Sequence, residues 1–490
     1  MRLRSLDGRT PRVALVTPHY HSGVVESAGK WPNAAFAYLG GELRVAGFEP
    51  VIYDAMTMDH EIDDIAAELA RIDPDVVLTS AYTASYPKAI ELLRTALEVV
   101  PGVVTGIGGV HAHFMWEEVL AEHGDVVDVV FRGEGEITLP EFVRCLAEEG
   151  DLSQVAGIAY VRDGAPHATP ARPFLASLDG RPAAWDLLDW DLYTFYPYPE
   201  TNLALISTSR GCDQACTFCS QQAFWERTWR GRSPEDVVRE IEYLRDTHGA
   251  GVVMFADETP THDPVRWHRL LDLLIERQTG VYLLMETRVD DILRDEAIMH
   301  RYHEAGIHHI YVGVERTDQA SLDMFKKNTK VEQGRRAIEL INEHGMISET
   351  SLVLGLPGDT PETIRATLDL AMHYDPDLAF FLTIAPWPYS DIYPDLEPHI
   401  VTRDYERYNL VDPVVKPVDM TVDELMTEVV ECYKRFYMGK VKRIPQMTKH
   451  KRDYFITSMK LIMHNSYLTK HMGGLGRIPV EIEAMAKRFL

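Results

Sequence analysis

The stretch Arg210-Gly-Cys-Asp-Gln-Ala-Cys-Thr-Phe-Cys-Ser-Gln221 places three cysteines, Cys212, Cys216 and Cys219, at the spacing C-x3-C-x2-C. Thiolates at this spacing can hold three irons of a 4Fe–4S cluster. Such clusters are ordinarily held by four cysteines, so three ligands leave one iron open to a molecule from outside the chain. The stretch therefore predicts a cluster whose open iron takes part in chemistry.

The alternative for these cysteines is a structural zinc site, which needs four nitrogen or sulfur ligands. The sequence has no histidine between His167 and His248, and the remaining cysteines, Cys145 and Cys432, are far away along the chain. The spacing and the missing fourth ligand favour a cluster over zinc.

The cysteines follow the first of six apolar strand candidates that alternate with helical stretches. This alternation predicts a partial (β/α)6 barrel, in which functional residues lie on the loops after the strands. The candidates are Leu205–Thr208, Val252–Phe255, Val281–Met285, His309–Gly313, Glu349–Leu354 and Ala379–Thr383.

Residues 11–145 also alternate strand and helix signals, as in a parallel α/β domain. The five strand candidates are Val13–Val16, Pro50–Tyr53, Val76–Ser80, Val103–Gly106 and Val127–Phe131. Small residues follow three of them, which lets a bulky ligand approach the carboxyl ends of the strands. Because no glycine-rich nucleotide motif is present, we predict a domain that binds a ligand other than a nucleotide.

The predicted organisation is a ligand-binding domain at 1–145, a connector at 146–200, a barrel at 201–395 and a helical region at 396–490. Within the connector, Gly157–Gly164 predicts a hairpin with an Asp-Gly turn.

Composition narrows the class of protein. The chain has 490 residues, a net charge of −26 and five cysteines. This acidity argues against nucleic acid as a partner, and clustered cysteines favour a reducing cytoplasm over secretion. No apolar stretch predicts a membrane span.

From Lys434 onward Lys and Arg outnumber Asp and Glu. This excess of basic residues indicates either a solvated basic surface or a surface for an anionic membrane, substrate or partner.

Together these motifs resemble the cobalamin-binding radical S-adenosylmethionine (SAM) enzymes, and within them the anaerobic magnesium-protoporphyrin IX monomethyl ester cyclases. The similarity extends over roughly residues 12–440. Besides the cysteine motif, it is carried by His19–Gly23, Ala28–Pro32, Asp54–Thr57, Ser207–Cys212, Cys219–Gln222, Met285–Val289 and Thr383–Tyr389. The resemblance implies a Rossmann-like (flavodoxin-like) cobalamin domain before a radical SAM barrel. Its cofactors would be the 4Fe–4S cluster, SAM and cobalamin.

Candidate cofactor contacts follow from this resemblance and from their positions after strands. For SAM they are Asp257, Glu286, Arg288, Glu315 and Gly355, and for cobalamin they are Ser80, Gly108, Gly109 and Gly133. Cobalamin domains that supply a histidine ligand carry D-x-H-x-x-G, and here Met56 stands in place of that histidine. We therefore expect cobalamin to bind without a histidine ligand.

The implied reaction is an oxidation that builds the isocyclic ring of a magnesium porphyrin with oxygen from water. A one-electron reductant such as ferredoxin or flavodoxin would be a partner. The same motifs would serve a cobalamin-dependent radical C-methyltransferase, so this alternative stays open. A non-catalytic B12 or redox sensor is the third interpretation, and it would not need the candidate SAM contacts.

Overall fold

The computed structural model describes residues 3–4, 8–20 and 29–465, with side chains described as far as residue 459. The chain divides into two compact units. The first comprises Met1–His21 and Trp31–Tyr193, and the second comprises Ser22–Lys30 and Thr194–Leu490. His21 and the basic segment beyond residue 465 lie outside the described residues.

The first unit is built on a seven-stranded sheet with the order β2-β1-β3-β4-β5-β6-β7. Strands β1 to β5 pair in parallel, and β6 and β7 add an antiparallel hairpin. The strands are β1 (Arg12–Val16), β2 (Glu49–Tyr53), β3 (Val76–Ser80), β4 (Val104–Gly108), β5 (Val129–Phe131), β6 (Ile158–Arg162) and β7 (Ala165–Ala168). The five predicted parallel strands are confirmed.

Helices connect these strands: α1 (Ala34–Val45), α2 (Ile62–Ile72), α3 (Tyr86–Val99), α4 (Val110–Phe114), α5 (Trp116–His123) and α6 (Gly135–Ala147). The central strands are continuous apolar runs because helices cover both faces of a parallel sheet. Side chains of the strands and of α6 form one core in which Val13, Leu15 and Phe142 are almost completely buried. In the order 2-1-3-4-5 the strand order reverses between β1 and β3, and in such sheets ligands bind at the carboxyl ends of the strands at this point.

The predicted hairpin is also confirmed. Arg162 pairs with Ala165 across the turn, and Asp163 and Gly164 have φ angles of 53° and 79°. Two positive φ angles are what a type I′ turn requires, and Asp-Gly provides them at low cost. Residues 146–193 belong to the first unit, and the exact limits of the predicted ranges stay predictions.

The second unit contains the barrel, a sheet of order β16-β15-β14-β13-β12-β9-β8. Its strands, with a separate pair β10 and β11, are β8 (Thr194–Phe195), β9 (Tyr198–Ile206), β10 (Ser209–Gly211), β11 (Trp229–Gly231), β12 (Ala250–Phe255), β13 (Tyr282–Thr287), β14 (Ile307–Val312), β15 (Ile347–Leu354) and β16 (Leu378–Thr383). Strands β9 and β12 to β16 pair in parallel. The predicted partial (β/α)6 barrel is confirmed.

The helices of this unit are α7 (Gln221–Phe224), α8 (Pro234–His248), α9 (Pro264–Arg277), α10 (Val289–Arg294), α11 (Met299–Glu304), α12 (Gln319–Met324), α13 (Val331–Glu343), α14 (Pro361–Tyr374), α15 (Tyr393–Leu396), α16 (Val422–Val441) and α17 (Lys449–Asn465). Three of the crossover helices, α8, α9 and α14, begin with a capping side chain followed by proline. The caps are Ser233, Asp263 and Thr360. Each cap satisfies amides of the first turn, and proline fits there because its missing N–H is not needed.

Helices α16 and α17 confirm the predicted helical region after the barrel. On α16, the Tyr433 hydroxyl accepts a hydrogen bond from the Phe381 amide at 3.1 Å, and the Tyr437 hydroxyl donates to the Ala379 carbonyl at 3.0 Å. These bonds satisfy backbone groups of β16, the last strand of the sheet. No helix among the described residues is both long and apolar enough to cross a membrane.

Candidate active site

The three cysteines lie in the loop that follows β10, at the carboxyl end of the barrel. Strand β10 pairs antiparallel with β11, so the chain on both sides of the loop is held in place. Gly211, immediately before Cys212, has a φ of +94°, and a Cβ there would collide with the Thr228 carbonyl oxygen. The loop therefore requires glycine at this position.

The middle of the cysteine loop is fixed from two directions. The Thr217 amide donates to the Phe325 carbonyl at 3.0 Å, and the Thr217 carbonyl accepts from the Ile392 amide at 3.0 Å. Phe218, the aromatic residue before the last cysteine, packs on Phe325 with ring centroids 4.7 Å apart. These contacts fix the backbone of the cysteine loop against two neighbouring segments.

Burial governs the chemistry of the thiols. It raises the pKa of Cys212, and it raises the pKa of Cys219 to about 12. Two buried cations, Arg288 and Lys327, lie close enough to Cys216 to interact with its charge. Metal ligation requires thiolates, and a thiolate-held cluster is anionic, so nearby cations fit such a group. No group of three or more metal-binding side chains among the described residues is arranged around a single ion.

Two adjacent carboxyl groups after β12 support the loop. The buried Asp257 carboxylate accepts hydrogen bonds from the Thr208 amide at 2.7 Å and from the Ser209 hydroxyl at 2.7 Å. Glu258, which was not among the predicted residues, accepts from the Gly211 amide at 3.0 Å and from the Trp225 indole at 2.8 Å. Both carboxylates thus brace the backbone that leads into the cysteines.

Glu315 follows β14 in a left-handed backbone conformation, with φ of 64°. Its amide donates to the Ser351 carbonyl at 3.1 Å, and its carboxylate pairs with the Lys327 ammonium at 2.8 Å. Both side chains are buried, at 9% and 8% exposure. Non-glycine residues in this conformation cluster at functional sites, because the surrounding structure must offset the strain.

The turn at Gly355, after β15, is organised by a residue that the sequence interpretation missed. The Asp359 carboxylate accepts from the amides of Gly355 and Leu356 at 2.9 and 3.0 Å. It also pairs with the buried Arg316 guanidinium at 2.8 Å. Arg316 directly follows Glu315, so this pair ties two loops of the site together.

Glu286 lies on β13, opposite Tyr311 of β14. Burial is the main cause that raises the pKa of Glu286 to about 7. Nearby carboxylates add to it, in the order Glu349, Glu258, Glu315 and Asp257. The predicted SAM contacts Asp257, Glu286 and Glu315 therefore share one region of the barrel, and Arg288 is near the cysteines. Their roles in SAM binding stay predictions.

The predicted cobalamin contacts lie at the carboxyl edge of the first sheet. Ser80 and Gly108 are paired at the ends of β3 and β4. A Cβ at Gly108 would meet only the Phe131 Cβ at 3.7 Å, and one at Gly133 would meet nothing within 4 Å. A Cβ at Gly109, in contrast, would strike the Ala81 backbone and the Ser80 hydroxyl. Gly109 thus permits the tight turn, and Gly108 and Gly133 leave open space for a large ligand.

Asp54 and Met56, which occupy the places of aspartate and histidine in the ligand motif, follow β2. The buried Asp54 carboxylate accepts from the hydroxyls of Thr17 and Tyr193 at 2.8 and 3.0 Å. The Met56 amide donates to the Thr17 hydroxyl at 3.1 Å. The aspartate is therefore engaged within the first unit.

Comparison with known proteins agrees with this two-part arrangement. Residues 20–143 match the B12 binding domain, and residues 206–371 match the radical SAM superfamily.

The anaerobic magnesium-protoporphyrin IX monomethyl ester cyclase of Rubrivivax gelatinosus is 38% identical over 95% of this chain and 85% of its own. The corresponding cyclase of Cereibacter sphaeroides is 37% identical over 88% and 71%. Among solved structures, the radical SAM methyltransferase TsrM of Kitasatospora setae, with tryptophan substrate and a SAM analogue bound, has a TM-score of 0.72. It is 18% identical and covers 98% of this chain and 99% of that one.

Proposed function

Because this chain belongs to the family of the anaerobic magnesium-protoporphyrin IX monomethyl ester cyclases, we propose that it closes the isocyclic ring of that porphyrin ester with oxygen from water. The observation that carries the proposal is the three-cysteine loop at the carboxyl end of a barrel of six parallel strands, in a chain that also carries a B12 domain. Its cofactors are the 4Fe–4S cluster, SAM and cobalamin.

Cys212, Cys216 and Cys219 hold the cluster in this proposal. The donor set fits, since three thiols lie in one braced loop with Arg288 and Lys327 beside them to balance the negative charge. When bound, the cofactors supply hydrogen abstraction and electron transfer. The protein's part is to bind them, orient the porphyrin and move protons.

The roles of the remaining predicted residues belong to the same proposal. Of the predicted SAM contacts, we assign SAM binding to Asp257, Arg288, Glu315 and Gly355 on the carboxyl-end loops. The hydrogen bonds of Asp257 give it a supporting position beneath the cysteine loop. On the first unit, Ser80, Gly108, Gly109 and Gly133 border the corrin. The small residues suit a broad, flat ligand because they leave its approach unobstructed.

A small-molecule substrate and an electron donor fit this family. We propose a magnesium porphyrin as the substrate and ferredoxin or flavodoxin as the reductant. We also propose the cytoplasm as the location, because its reducing environment protects the cluster. Contact of the basic C-terminal region with an anionic membrane is a further part of the proposal, because such surfaces attract Lys and Arg.

The deciding experiment is an anaerobic incubation of the reconstituted protein with the magnesium porphyrin ester, SAM, cobalamin and a reductant. Heavy-oxygen water and SAM with a labelled methyl group distinguish the outcomes by mass spectrometry. A cyclase puts the water oxygen into the product and forms 5′-deoxyadenosine. If the label instead arrives from the SAM methyl group, the cyclase assignment is wrong.

That second outcome would identify a cobalamin-dependent radical C-methyltransferase. The observation in its favour is the group of methyltransferases among the relatives at 25–28% identity. A methyltransferase also turns SAM into S-adenosylhomocysteine, so measurement of this compound provides an independent check.

A further inference from the structure

Five carboxyl groups lie near one another in the barrel, and four of them have close partners. Asp257 and Glu258 accept hydrogen bonds from the backbone at the cysteine loop. Glu315 pairs with Lys327 at 2.8 Å, and an oxygen of Glu349 lies 2.7 Å from Nε2 of His309. Within the part of the chain that the structure describes, Glu286 alone of the five has no hydrogen bond or ion pair.

The strand register places Glu286 in the middle of this group. Tyr311 is directly opposite Glu286 on one side and opposite Glu349 on the other, so the three residues form a row across β13, β14 and β15. The Tyr311 hydroxyl is engaged with Ser351, which leaves the Glu286 carboxyl with its hydrogen-bonding capacity unused. Glu286 is also only partly exposed. A carboxyl group that has no protein partner at the functional end of a barrel is available to a substrate or a water molecule.

The proposed reaction needs such a group. The balanced equation for the addition of a water oxygen to a methylene carbon is R–CH2–R′ + H2O → R–CH(OH)–R′ + H• + e− + H+. The cofactors of the proposed function take the hydrogen atom and the electron. The proton must go to a base, and a base works best when its pKa lies near the working pH.

We infer that Glu286 is the proton acceptor of this reaction, in contact with the substrate or its attacking water. The inference rests on the proposed function. It replaces the earlier assignment of Glu286 to SAM binding, and it leaves the other predicted SAM contacts unchanged. The carboxylate form accepts the proton and becomes the neutral acid, which removes one negative charge from among the neighbouring carboxylates.

Glu286→Gln keeps the size of the side chain and removes the base. We expect SAM affinity, SAM cleavage and transfer of deuterium from the labelled propionate side chain to 5′-deoxyadenosine to stay within about twofold. Formation of the oxygenated product should fall by about 100-fold or more, which is the usual contribution of a positioned base. Glu276→Gln, on the exposed side of α9, is the matched control and should behave as wild type.

The pH profile gives a second readout that a structural role would not produce. Product formation by the wild type should rise as pH increases through about 7, because the pKa of Glu286 is raised to about 7. Among the facing groups Glu349 contributes the most, ahead of Glu258, Glu315 and Asp257. Glu349→Gln should therefore move this rise to lower pH.

A third readout needs neither cofactor nor substrate. The pKa of Glu286 is raised from 4.5 to about 7 in the folded protein, so the folded state holds this proton more tightly than the unfolded state. Wild-type stability should then decrease as pH rises through that window. Since glutamine does not ionise, the melting temperature of Glu286→Gln relative to wild type should be higher at about pH 8 than at about pH 5.

Wild-type oxygen incorporation tests the proposed function, and the variants test the inference. If Glu286→Gln loses SAM affinity, the residue is a cofactor ligand and the inference is wrong. Unchanged product formation, or a wild-type profile that Glu349→Gln does not shift, also overturns it. Lost product with intact SAM cleavage and deuterium transfer supports it.

Discussion

The carboxyl edges of the two parallel sheets carry different kinds of residues. At the edge of the first sheet the predicted contacts are Ser80 and glycines, with open space at Gly108 and Gly133. The edge of the barrel carries buried ion pairs such as Glu315–Lys327 and Arg316–Asp359. The first edge is suited to a large ligand recognised by shape, and the second to small charged groups recognised by electrostatics. Two sheets of similar construction thus acquire different chemistry from the residues that follow their strands.

The largest expected effect concerns the charged edge. Cys216→Ala should abolish both iron incorporation and SAM cleavage, because two remaining thiolates cannot hold a site-differentiated cluster. Iron content per chain and 5′-deoxyadenosine formation are the measurements. Cys145→Ala, on α6 of the first unit, is the control and should leave both unchanged. A purified protein that holds zinc and never takes up iron would contradict the cluster.

The next effect tests recognition by shape at the first edge. Gly108→Leu fills the open space above Gly108 and should weaken cobalamin binding about 100-fold, equivalent to about 3 kcal/mol of steric cost. Because only the Phe131 Cβ is near, the fold should be unaffected. Gly439→Leu is the control, because a Cβ at Gly439 would meet nothing within 4 Å. Optical titration measures both, and unchanged binding in Gly108→Leu would remove this glycine from the cobalamin site.

A third change sharpens the electrostatic part of the comparison. Lys327→Met leaves the buried Glu315 carboxylate without its cation. Removing one partner of a buried ion pair costs about 3–5 kcal/mol, and we expect a loss of this size in urea unfolding. Adding Glu315→Gln should recover part of the loss, since no unpaired charge then remains. A loss no larger than that of a surface pair would show that solvent reaches this site.

The smallest effect returns to the first unit. Tyr193→Phe removes the hydroxyl that donates to Asp54 at 3.0 Å and should cost about 1 kcal/mol, the usual net value of one hydrogen bond. Tyr243→Phe is the control. Because Tyr243 is 44% exposed, removing its hydroxyl should leave the free energy of unfolding almost unchanged. Thermal unfolding measures both. Equal values for the two variants would mean that Asp54 does not depend on this bond.

The strands and the cysteines were predictable for separate reasons. Parallel strands are buried on both faces, so runs such as Val76–Ser80 and Ala379–Phe381 are recognisable without knowledge of their partners. The cysteine motif is local, and the metal chemistry that it indicates depends on few other residues. Both the apolar runs and the cysteine motif can therefore be recognised in a single sequence.

Side-chain direction and distant pairing were not predictable. Asp257 and Glu258 are neighbours of similar chemistry, and only the structure shows that Asp257 turns to Thr208 whereas Glu258 turns to Gly211. The pair Arg316–Asp359 joins two loops that are far apart in sequence. The sequence Gly355-Leu-Pro-Gly-Asp359 indicates that the aspartate organises a turn, because acidic residues commonly cap turns. It does not indicate that Arg316 is the ion-pair partner of this aspartate.

The glycine before the first cysteine limits how this enzyme can be altered by directed evolution. Gly211 has a positive φ and the Thr228 oxygen occupies the place of its side chain, so every replacement disturbs the loop that carries the three cysteines. A mutant library aimed at a new substrate should keep this codon constant. Codons are better randomised at positions whose surroundings are empty, because a new side chain can be accommodated there without loss of the metal centre.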